Sequence, residues 1–355
     1  MSMREFLYRL ATDRYRGFPF SILKGILWML SLVYCVFIVM CAALRGSREK
    51  RMPLKVISVG NITLGGTGKT PLVEYICRFL KEHGHRFAVV TRGYTPAHKE
   101  ASGGAAIADE PQMLSERLEQ VPVIVKPDRV EAISEASRTY GADGVVLDDG
   151  FQQWHIHKDI EIVTVDGVNP FGNGRLLPRG ILREPLFALK RADVFVITKT
   201  NCVPDISVLR RRLESINQSA LIVESKHTIV GVYEFENPGR MHSLGSLKGK
   251  IVTVLSGIGD PHSFESMLKE AGVCVGLSFQ FSDHHAYTHD DLASVTSASR
   301  NKGIDTILTT EKDGVRLRHL NFQSLVCTVM VARLEIVLTN GKDQFLDRLH
   351  KLYSV

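Results

Sequence analysis

The 355-residue sequence lacks the cysteine pattern of a disulfide scaffold or a zinc ribbon. None of its six cysteines forms a C-x-x-C pair, and Cys35 and Cys41 lie within an apolar run. This usage is typical of a reducing compartment. The sequence also has no internal repeat and no low-complexity tract. Hydrophobic residues make up 44% and charged residues 23% of the chain, which indicates a folded protein of one large or two ordinary domains.

An excess of basic residues is absent from most of the chain. The formal net charge is +6, but residues 1–55 contain ten basic and three acidic residues and therefore carry +7. The other 300 residues carry −1. Counterion release on nucleic acid requires a basic face. We therefore expect no nucleic-acid partner, and nothing in the sequence indicates an obligate protein partner.

The N-terminal region contains nineteen consecutive residues without a charge, residues 26–44. As a helix this run would extend roughly 28 Å, close to the thickness of a bilayer core. Arg45, Arg48, Lys50 and Arg51 follow, and they suit anionic lipid headgroups. The run predicts a membrane helix. A helix lying flat in the interface and a buried core helix remain alternatives, whereas the run is too long for a secretory signal.

The rest of the sequence alternates short β-branched runs with helical patterns. The predicted strands are 55–60, 87–91, 121–125, 144–147, 160–165, 194–198, 251–256 and 306–309, and the predicted helices are 71–83, 130–140 and 264–271. This alternation predicts an α/β fold with a mostly parallel sheet. A Gly-, Pro- and Ser-rich stretch at 237–249 predicts a boundary before a second, smaller α/β lobe. The predicted domains are an anchor (1–51), a P-loop core (52–240), the smaller lobe (250–320) and a return segment (321–355).

The sharpest motif is GNITLGGTGKTP at 60–71, which we call the phosphate loop. Its glycines let successive backbone N–H groups face one anion, and Lys69 adds a charge toward the β and γ phosphates of a nucleotide. Thr63 replaces the first glycine of the common G-x-x-x-x-G-K-[ST] pattern, so the motif is a G-G-x-G-K-T variant. A glycine-rich turn with a chance lysine is the alternative. The predicted ATP-binding residues are Thr63, Leu64, Gly65, Gly66, Thr67, Gly68, Lys69 and Thr70.

A pair of carboxylates follows the predicted strand 144–147. Asp148 and Asp149 would lie at the carboxyl edge of a parallel sheet, where ligands bind in such folds. Together with the Thr70 hydroxyl they predict a Mg²⁺ site. A turn is the alternative interpretation, because Asp-Gly is a common turn pair.

Several further motifs make the chain resemble the tetraacyldisaccharide 4′-kinases of lipid A biosynthesis in Gram-negative bacteria. They are TRGY (91–94), DEPQML (109–114), DR (128–129), DDGFQ (148–152), DGVNPFGNGRLLPRGILREP (166–185), DHHAY (283–287) and TEKD (310–313). The resemblance implies an inner-membrane kinase, with its catalytic body on the cytoplasmic face. It would transfer phosphate from ATP to the 4′-hydroxyl of a membrane-embedded tetraacylated disaccharide, with Mg²⁺.

The resemblance also implies residue roles. Asp109 would be the general base, assisted by His284, with Lys69 and Asp149 acting on the phosphates; from residue type alone, Asp109 reads as a helix cap and His284 as a surface residue. The expected substrate-binding residues are Arg92, Arg129, Asn173 and Arg183. Two positions depart from the family pattern, Gln153 where histidine is frequent and Arg179 where a small residue is usual.

The main competing interpretation is a membrane-associated ATPase of the deviant P-loop group, the type used in partitioning or protein targeting. Those proteins share the G-G-x-G-K-T loop. Many of them place a second lysine at the start of the loop, where this chain has Leu64. A nucleotide-gated membrane adaptor without catalysis is a third possibility. Movement of label from ATP to a lipid separates a kinase from both.

Overall fold

The computed structural model describes residues 10–13, 15, 17–92, 109–283, 285–318, 320 and 327–354, with the side chain of Asp109 outside the description. The α-helices are α1 Phe18–Gly46, α2 Lys69–Glu82, α3 Asp109–Arg117, α4 Arg129–Tyr140, α5 Ser207–Ile216, α6 Pro261–Glu270, α7 His289–Asn301, α8 Glu311–Leu317 and α9 Lys342–Lys351. The strands are β1 Lys55–Asn61, β2 Phe87–Thr91, β3 Val123–Val125, β4 Gly144–Asp148, β5 Ile160–Asp166, β6 Val194–Thr198, β7 Leu221–Glu234, β8 Asn237–His242, β9 Ile251–Ser256, β10 Cys274–Gln280, β11 Thr306–Thr310 and β12 Thr328–Leu338.

The chain divides into two compact units, and neither is continuous in sequence. The first unit consists of Met1–Tyr94, Arg117–Lys226 and Leu338–Val355, and the second of Thr95–Glu116 and His227–Val337. The described residues 109–116 and 227–240, which lie within the predicted P-loop core, belong to the second of these units. The boundaries of the functional domains stay a prediction.

The first unit is built on a parallel sheet with the strand order β7-β6-β5-β1-β4-β2-β3. Every residue of β2, β4, β5 and β6 is buried, as expected for parallel strands that are covered on both faces. Apolar side chains of α4 and α5 belong to two of the buried clusters that enclose this sheet. The prediction of a mostly parallel α/β sheet is confirmed. Because β1 lies at its centre, the loop after β1 emerges in the middle of the carboxyl edge.

The second unit has its own parallel strands, ordered β10-β9-β11-β12, and β12 is followed in the order by β7. β8 pairs with the end of β7 in antiparallel fashion. The stretch 237–249, whose composition predicts a boundary between the lobes, begins with a strand. Asp260 caps α6, with Oδ1 accepting from the Ser263 backbone N–H at 3.2 Å, and the helix starts three residues earlier than predicted.

Helix α1 contains the uncharged run. It is 29 residues long and is the one helix among the described residues that is long and apolar enough to cross a membrane. Leu27 and Ser31 are its buried residues. The large apolar side chains on its other faces are exposed, among them Met29, Val33 and Phe37 at more than 60%. An apolar surface of this extent indicates a lipid or protein environment.

Candidate functional site

The phosphate loop joins β1 to α2 at the carboxyl edge of the first unit's sheet. Gly65 and Gly68 have φ angles of +113° and +80°, which L-residues with side chains rarely adopt. A Cβ atom built on Gly65 or Gly66 would meet no atom within 4 Å, so this side of the loop borders open space. Gly68 caps α2 without a side-chain hydrogen bond. The first backbone N–H groups of α2 are thus suited to binding an anion.

The loop is attached to the strands on which it rests. The Thr67 and Thr164 hydroxyls are 2.8 Å apart, and the Thr198 hydroxyl donates to the Thr67 carbonyl at 3.0 Å. The start of the loop is equally confined, because a Cβ on Gly60 would lie 2.5 Å from the backbone nitrogen of Phe151. These contacts fix the loop in shape while its outer side stays open.

Lys69 points back toward the end of β1. Its Nζ donates to Asn61 Oδ1 at 3.1 Å and lies 3.6 Å from Asp149 Oδ1. Arg183 donates to the same oxygen of Asp149 at 2.8 Å. One carboxylate therefore faces two cations at the mouth of the phosphate loop.

The two neighbouring aspartates have different environments. Asp148 is the last residue of β4 and is buried, and Thr91 donates to its Oδ2 at 3.4 Å. Asp149 has a φ angle of +56°, which turns it out of the strand direction. Burial acts to raise the pKa of Asp149, but the charges of Lys69 and Arg183 outweigh it and keep the pKa at about 2. Asp149 is consequently ionised at neutral pH.

A cavity of about 290 Å³ opens beside Asp149, and we call it the arginine cavity. Its lining combines four arginines, one carboxylate and residues of the apolar helix α1. The lining residues are Tyr34, Ile38, Arg45, Arg92, Arg129, Asp149, Gln152, Gln153, Trp154 and Arg183. The positive charges outnumber the negative one, so the cavity suits an anionic ligand. Its α1 residues connect this charged pocket to an apolar surface.

Three of the four residues predicted to bind substrate line this cavity: Arg92, Arg129 and Arg183. Arg129 is 2% exposed, and its guanidinium donates to the Lys126 carbonyl at 2.6 Å. Burial lowers the pKa of Arg129, although Asp148 and Asp149 act in the opposite direction. Asp128 is the N-cap of α4, and its Oδ1 accepts from the backbone N–H of Val130 at 2.9 Å.

Asn173, the fourth of these residues, lies outside the arginine cavity's lining. Its Nδ2 donates to the Ala11 carbonyl at 2.8 Å and to Asp13 Oδ2 at 3.1 Å. Arg179 donates to the other oxygen of Asp13 at 2.8 Å. Both side chains therefore attach the loop 173–183 to the N-terminal segment. Arg179, the departure from the family pattern, has a partner within this chain.

Tyr34 and Glu184 are not among the site residues predicted from the sequence. Tyr34 donates from its hydroxyl to the Arg183 carbonyl at 2.8 Å, so α1 is bonded directly to the loop that carries Arg183. Glu184 is 2% exposed and accepts from Gln152 at 2.9 Å and from Trp154 at 3.3 Å. It thereby fixes two lining side chains. A glutamate inside an otherwise basic and apolar LREP run was the available signal.

The proposed base and its partner are described only in part. Asp109 is the first residue of α3, and its side chain lies outside the description. His284 also lies outside the described residues. Glu110, next to Asp109, forms an ion pair with Lys312 at 3.0 Å.

Comparisons with known proteins identify the family of this chain. The family model described as tetraacyldisaccharide-1-P 4′-kinase matches residues 23–353. A tetraacyldisaccharide 4′-kinase of Halothermothrix orenii is 38% identical over 81% of this chain and 82% of its own length. One from Pelobacter propionicus is 33% identical over 96% of this chain and 95% of its own.

Among solved structures, LpxK from Aquifex aeolicus in complex with ATP matches 94% of this chain and all of its own. The TM-score is 0.72 and the sequence identity 25%. The family model matches nearly the whole sequence, and the relative from Pelobacter propionicus is also matched over nearly its whole length. The chain therefore belongs to the tetraacyldisaccharide-1-P 4′-kinase family.

Proposed function

We propose that this chain transfers the γ-phosphate of ATP to the 4′-hydroxyl of a tetraacylated glucosamine disaccharide 1-phosphate. The observation that carries the proposal is the arginine cavity. It places Asp149, at the mouth of the phosphate loop, in one pocket with Tyr34 and Ile38 of the apolar helix. The substrate requires both parts: its headgroup has to reach the phosphates of ATP, while its acyl chains stay in a membrane.

The nucleotide's phosphates would bind the phosphate loop, from Thr63 to Thr70. Lys69 lies 3.6 Å from Asp149 and would exchange part of that contact for the β and γ phosphates. The Thr70 hydroxyl and the carboxylates of Asp148 and Asp149 are hard oxygen donors, and they fit Mg²⁺. When bound, Mg²⁺ supplies charge neutralisation for the transferred group.

The lipid headgroup would bind in the arginine cavity. Arg92, Arg129 and Arg183 carry the positive charge of its inner part, and guanidinium groups bind phosphate with two hydrogen bonds. Tyr34 and Ile38 would contact the start of the acyl chains. Asn173 contributes indirectly, because it attaches the loop of Arg183 to the N-terminal segment.

Asp109 would take the proton of the 4′-hydroxyl, and His284 would orient the carboxylate and tune its pKa. The support is the residue match to the family. Asp109 is the first residue of α3, so its backbone lies at the start of that helix.

The enzyme would work at the cytoplasmic face of the bacterial inner membrane. Four acyl chains keep the disaccharide in the bilayer. Helix α1 would anchor the body there, with Arg45 and Arg48 at the level of anionic headgroups. Because ATP is cytosolic, the catalytic body would lie on the cytoplasmic side of that membrane.

The test is incubation of the purified chain with γ-³²P-labelled ATP, Mg²⁺ and the tetraacyldisaccharide 1-phosphate in mixed micelles. Label in the lipid fraction is expected. Label released only as inorganic phosphate would favour the deviant P-loop ATPase instead. No consumption of ATP in the presence of lipid would favour the non-catalytic adaptor.

The base assignment has its own prediction. Asp109→Ala should lower kcat by about 100-fold or more, the contribution of a positioned base, while the Kd for ATP changes little. Turnover and ATP binding are measured on the same preparation, with His284→Ala beside it. An Asp109→Ala enzyme with wild-type turnover would refute the assignment.

A further inference from the structure

Lys312, in the TEKD motif, contacts two carboxylates from separate parts of the second unit. Its Nζ lies 3.0 Å from Glu110 Oε1 in α3 and 3.4 Å from Asp283 Oδ1, in the loop before α7. Burial acts to lower the pKa of Lys312, but Glu110 and Asp283 raise it overall. The lysine is therefore charged and joins two segments that are about 170 residues apart in sequence.

The two partners have informative neighbours. Glu110 directly follows Asp109, and Asp283 directly precedes His284. We propose that Lys312 is a positioning residue for the phosphoryl transfer, which sets the spacing between the start of α3 and the loop 283–287. This inference rests on the roles proposed above for Asp109 and His284. Lys312 itself would touch neither substrate nor nucleotide.

The far end of the loop 283–287 is fixed by the next residue of the same motif. Asp313 is fully buried and accepts from the Tyr287 hydroxyl and from the Gly257 backbone N–H, each at 3.0 Å. Arg316 donates to the Gly257 carbonyl at 2.7 Å. Asp283 and Tyr287, which lie on either side of position 284 in the sequence, are thus both attached to α8, Asp283 through Lys312 and Tyr287 through Asp313.

The two carboxylates that contact Lys312 differ in whether they have a second cationic partner. Asp283 also has Arg316 at 4.0 Å, so it keeps a cation when Lys312 is replaced. Among the residues that the structure describes, Lys312 is the only cation that forms an ion pair with Glu110. Replacement of Lys312 should consequently release the first turn of α3, which carries Asp109, more than it releases the loop.

The chain provides a matched control at the other end of the same two helices. Arg318, just after α8, forms an ion pair with Glu116 near the end of α3, with Nη2 to Oε2 at 2.7 Å. Both ion pairs join α3 to the α8 region. Glu116 follows Glu110 by six positions, and Arg318 follows Lys312 by six positions. Arg318→Met removes an attachment of α3 without affecting Glu110 or Asp283.

The experiment compares full-length Lys312→Met, Lys312→Arg and Arg318→Met in the label-transfer assay. A displacement of about 1 Å at a reacting group costs roughly 100-fold in rate, so we expect kcat of Lys312→Met to fall between about 10- and 100-fold. The KM values for ATP and lipid should stay within about twofold. Lys312→Arg should recover most of the loss, and Arg318→Met should stay within about twofold of the wild type.

Three results would overturn the positioning role: a wild-type kcat in Lys312→Met, an equal loss in Arg318→Met, or a loss confined to the KM values. Thermal unfolding is measured for every variant. Should Lys312→Met prove unstable, Lys312→Gln, which retains a hydrogen-bond donor, carries the same test. Asp109→Ala separates the two proposals. If Asp109→Ala is inactive while Lys312→Met has wild-type activity, only the proposed role of Lys312 is refuted. If Asp109→Ala is active, the assignment of Asp109 as the base is refuted, and the role of Lys312 that rests on it is refuted too.

Discussion

At the scale of single residues, the glycines of the phosphate loop serve two different purposes. Gly60 is required by the fold, because a side chain there would overlap the backbone of Phe151. Gly66 faces open space, so the fold itself does not exclude a side chain there. Because no protein atom occupies the space beside Gly66, we expect a ligand to occupy it. In this loop the ligand would be a phosphate.

This difference gives a paired prediction. Gly60→Ala should lower the free energy of unfolding by about 1–3 kcal/mol, the usual cost of overpacking. Gly66→Ala should unfold like the wild type but bind ATP roughly tenfold more weakly, because its methyl group would project toward the bound phosphate. Thermal unfolding and ATP titration of both variants test this. Unaltered ATP affinity in Gly66→Ala would contradict a phosphate position against this loop.

Candidate site residues can be proposed from the sequence, whereas the contacts between them cannot. Lys69 and Asp149 were assigned from the spacing of a strand, a glycine loop and a second acidic strand end, and the structure brings them together. The contact of Arg183 with Asp149 could not be derived, because it depends on how the irregular loop 173–183 folds back. Irregular loops leave no periodic signal in a sequence.

At the scale of secondary-structure elements, predictability followed burial. The strands β2, β6 and β9 have the bounds predicted for them, and all but one of their residues are buried, which produces short continuous apolar runs. In β10, exposed and partly buried residues alternate, and the apolar signal is correspondingly weak. The long strand β7 was missed for a related reason, since charged residues interrupt it.

Helix α1 shows what hydropathy cannot resolve. The run 26–44 predicted a membrane helix from its length and lack of charge. Its polar residues Ser31 and Tyr34 gave no hint of their partners. Ser31 accepts from the Arg179 backbone N–H at 3.0 Å, and Tyr34 donates to the Arg183 carbonyl. These hydrogen bonds attach one face of an apolar helix to the loop that borders the arginine cavity.

The Tyr34 contact leads to a prediction about substrate binding. Tyr34→Phe removes one partly buried hydrogen bond, worth about 0.5–1.5 kcal/mol, and should lower kcat/KM for the lipid between about two- and tenfold. The KM for ATP should not change. Phe37→Leu, on the exposed face of α1, is the matched control and should behave as the wild type. Equal effects of both variants would mean that α1 acts only as a hydrophobic anchor.

At the scale of the whole molecule, charge and hydrophobicity are divided along the chain. The N-terminal 55 residues carry all of the basic excess and contain the apolar helix, and the remaining body is close to neutral. This division favours a protein that is directed to an anionic membrane by one segment. The same segment contributes Tyr34, Ile38 and Arg45 to the arginine cavity, so the proposed membrane attachment and the proposed substrate binding would share one element.

A truncated chain that starts at Met52 tests both contributions of that segment. The buried clusters of the sheet in the first unit start at Leu54, so the truncated chain should fold and bind ATP normally. On substrate in vesicles its turnover should fall about 100-fold or more, since the effective concentration provided by the anchor is lost. Circular dichroism, ATP titration and the label-transfer assay measure these three properties.

A second substrate distinguishes the anchor from the cavity wall. With a water-soluble, short-chain analogue of the disaccharide, the anchor gives no advantage, and a purely anchoring α1 would leave the truncated chain fully active. Because α1 supplies three residues to the lining of the arginine cavity, we expect the KM for this analogue to rise while the KM for ATP stays unchanged. Wild-type KM values with the short-chain analogue would show that the cavity binds the headgroup without α1.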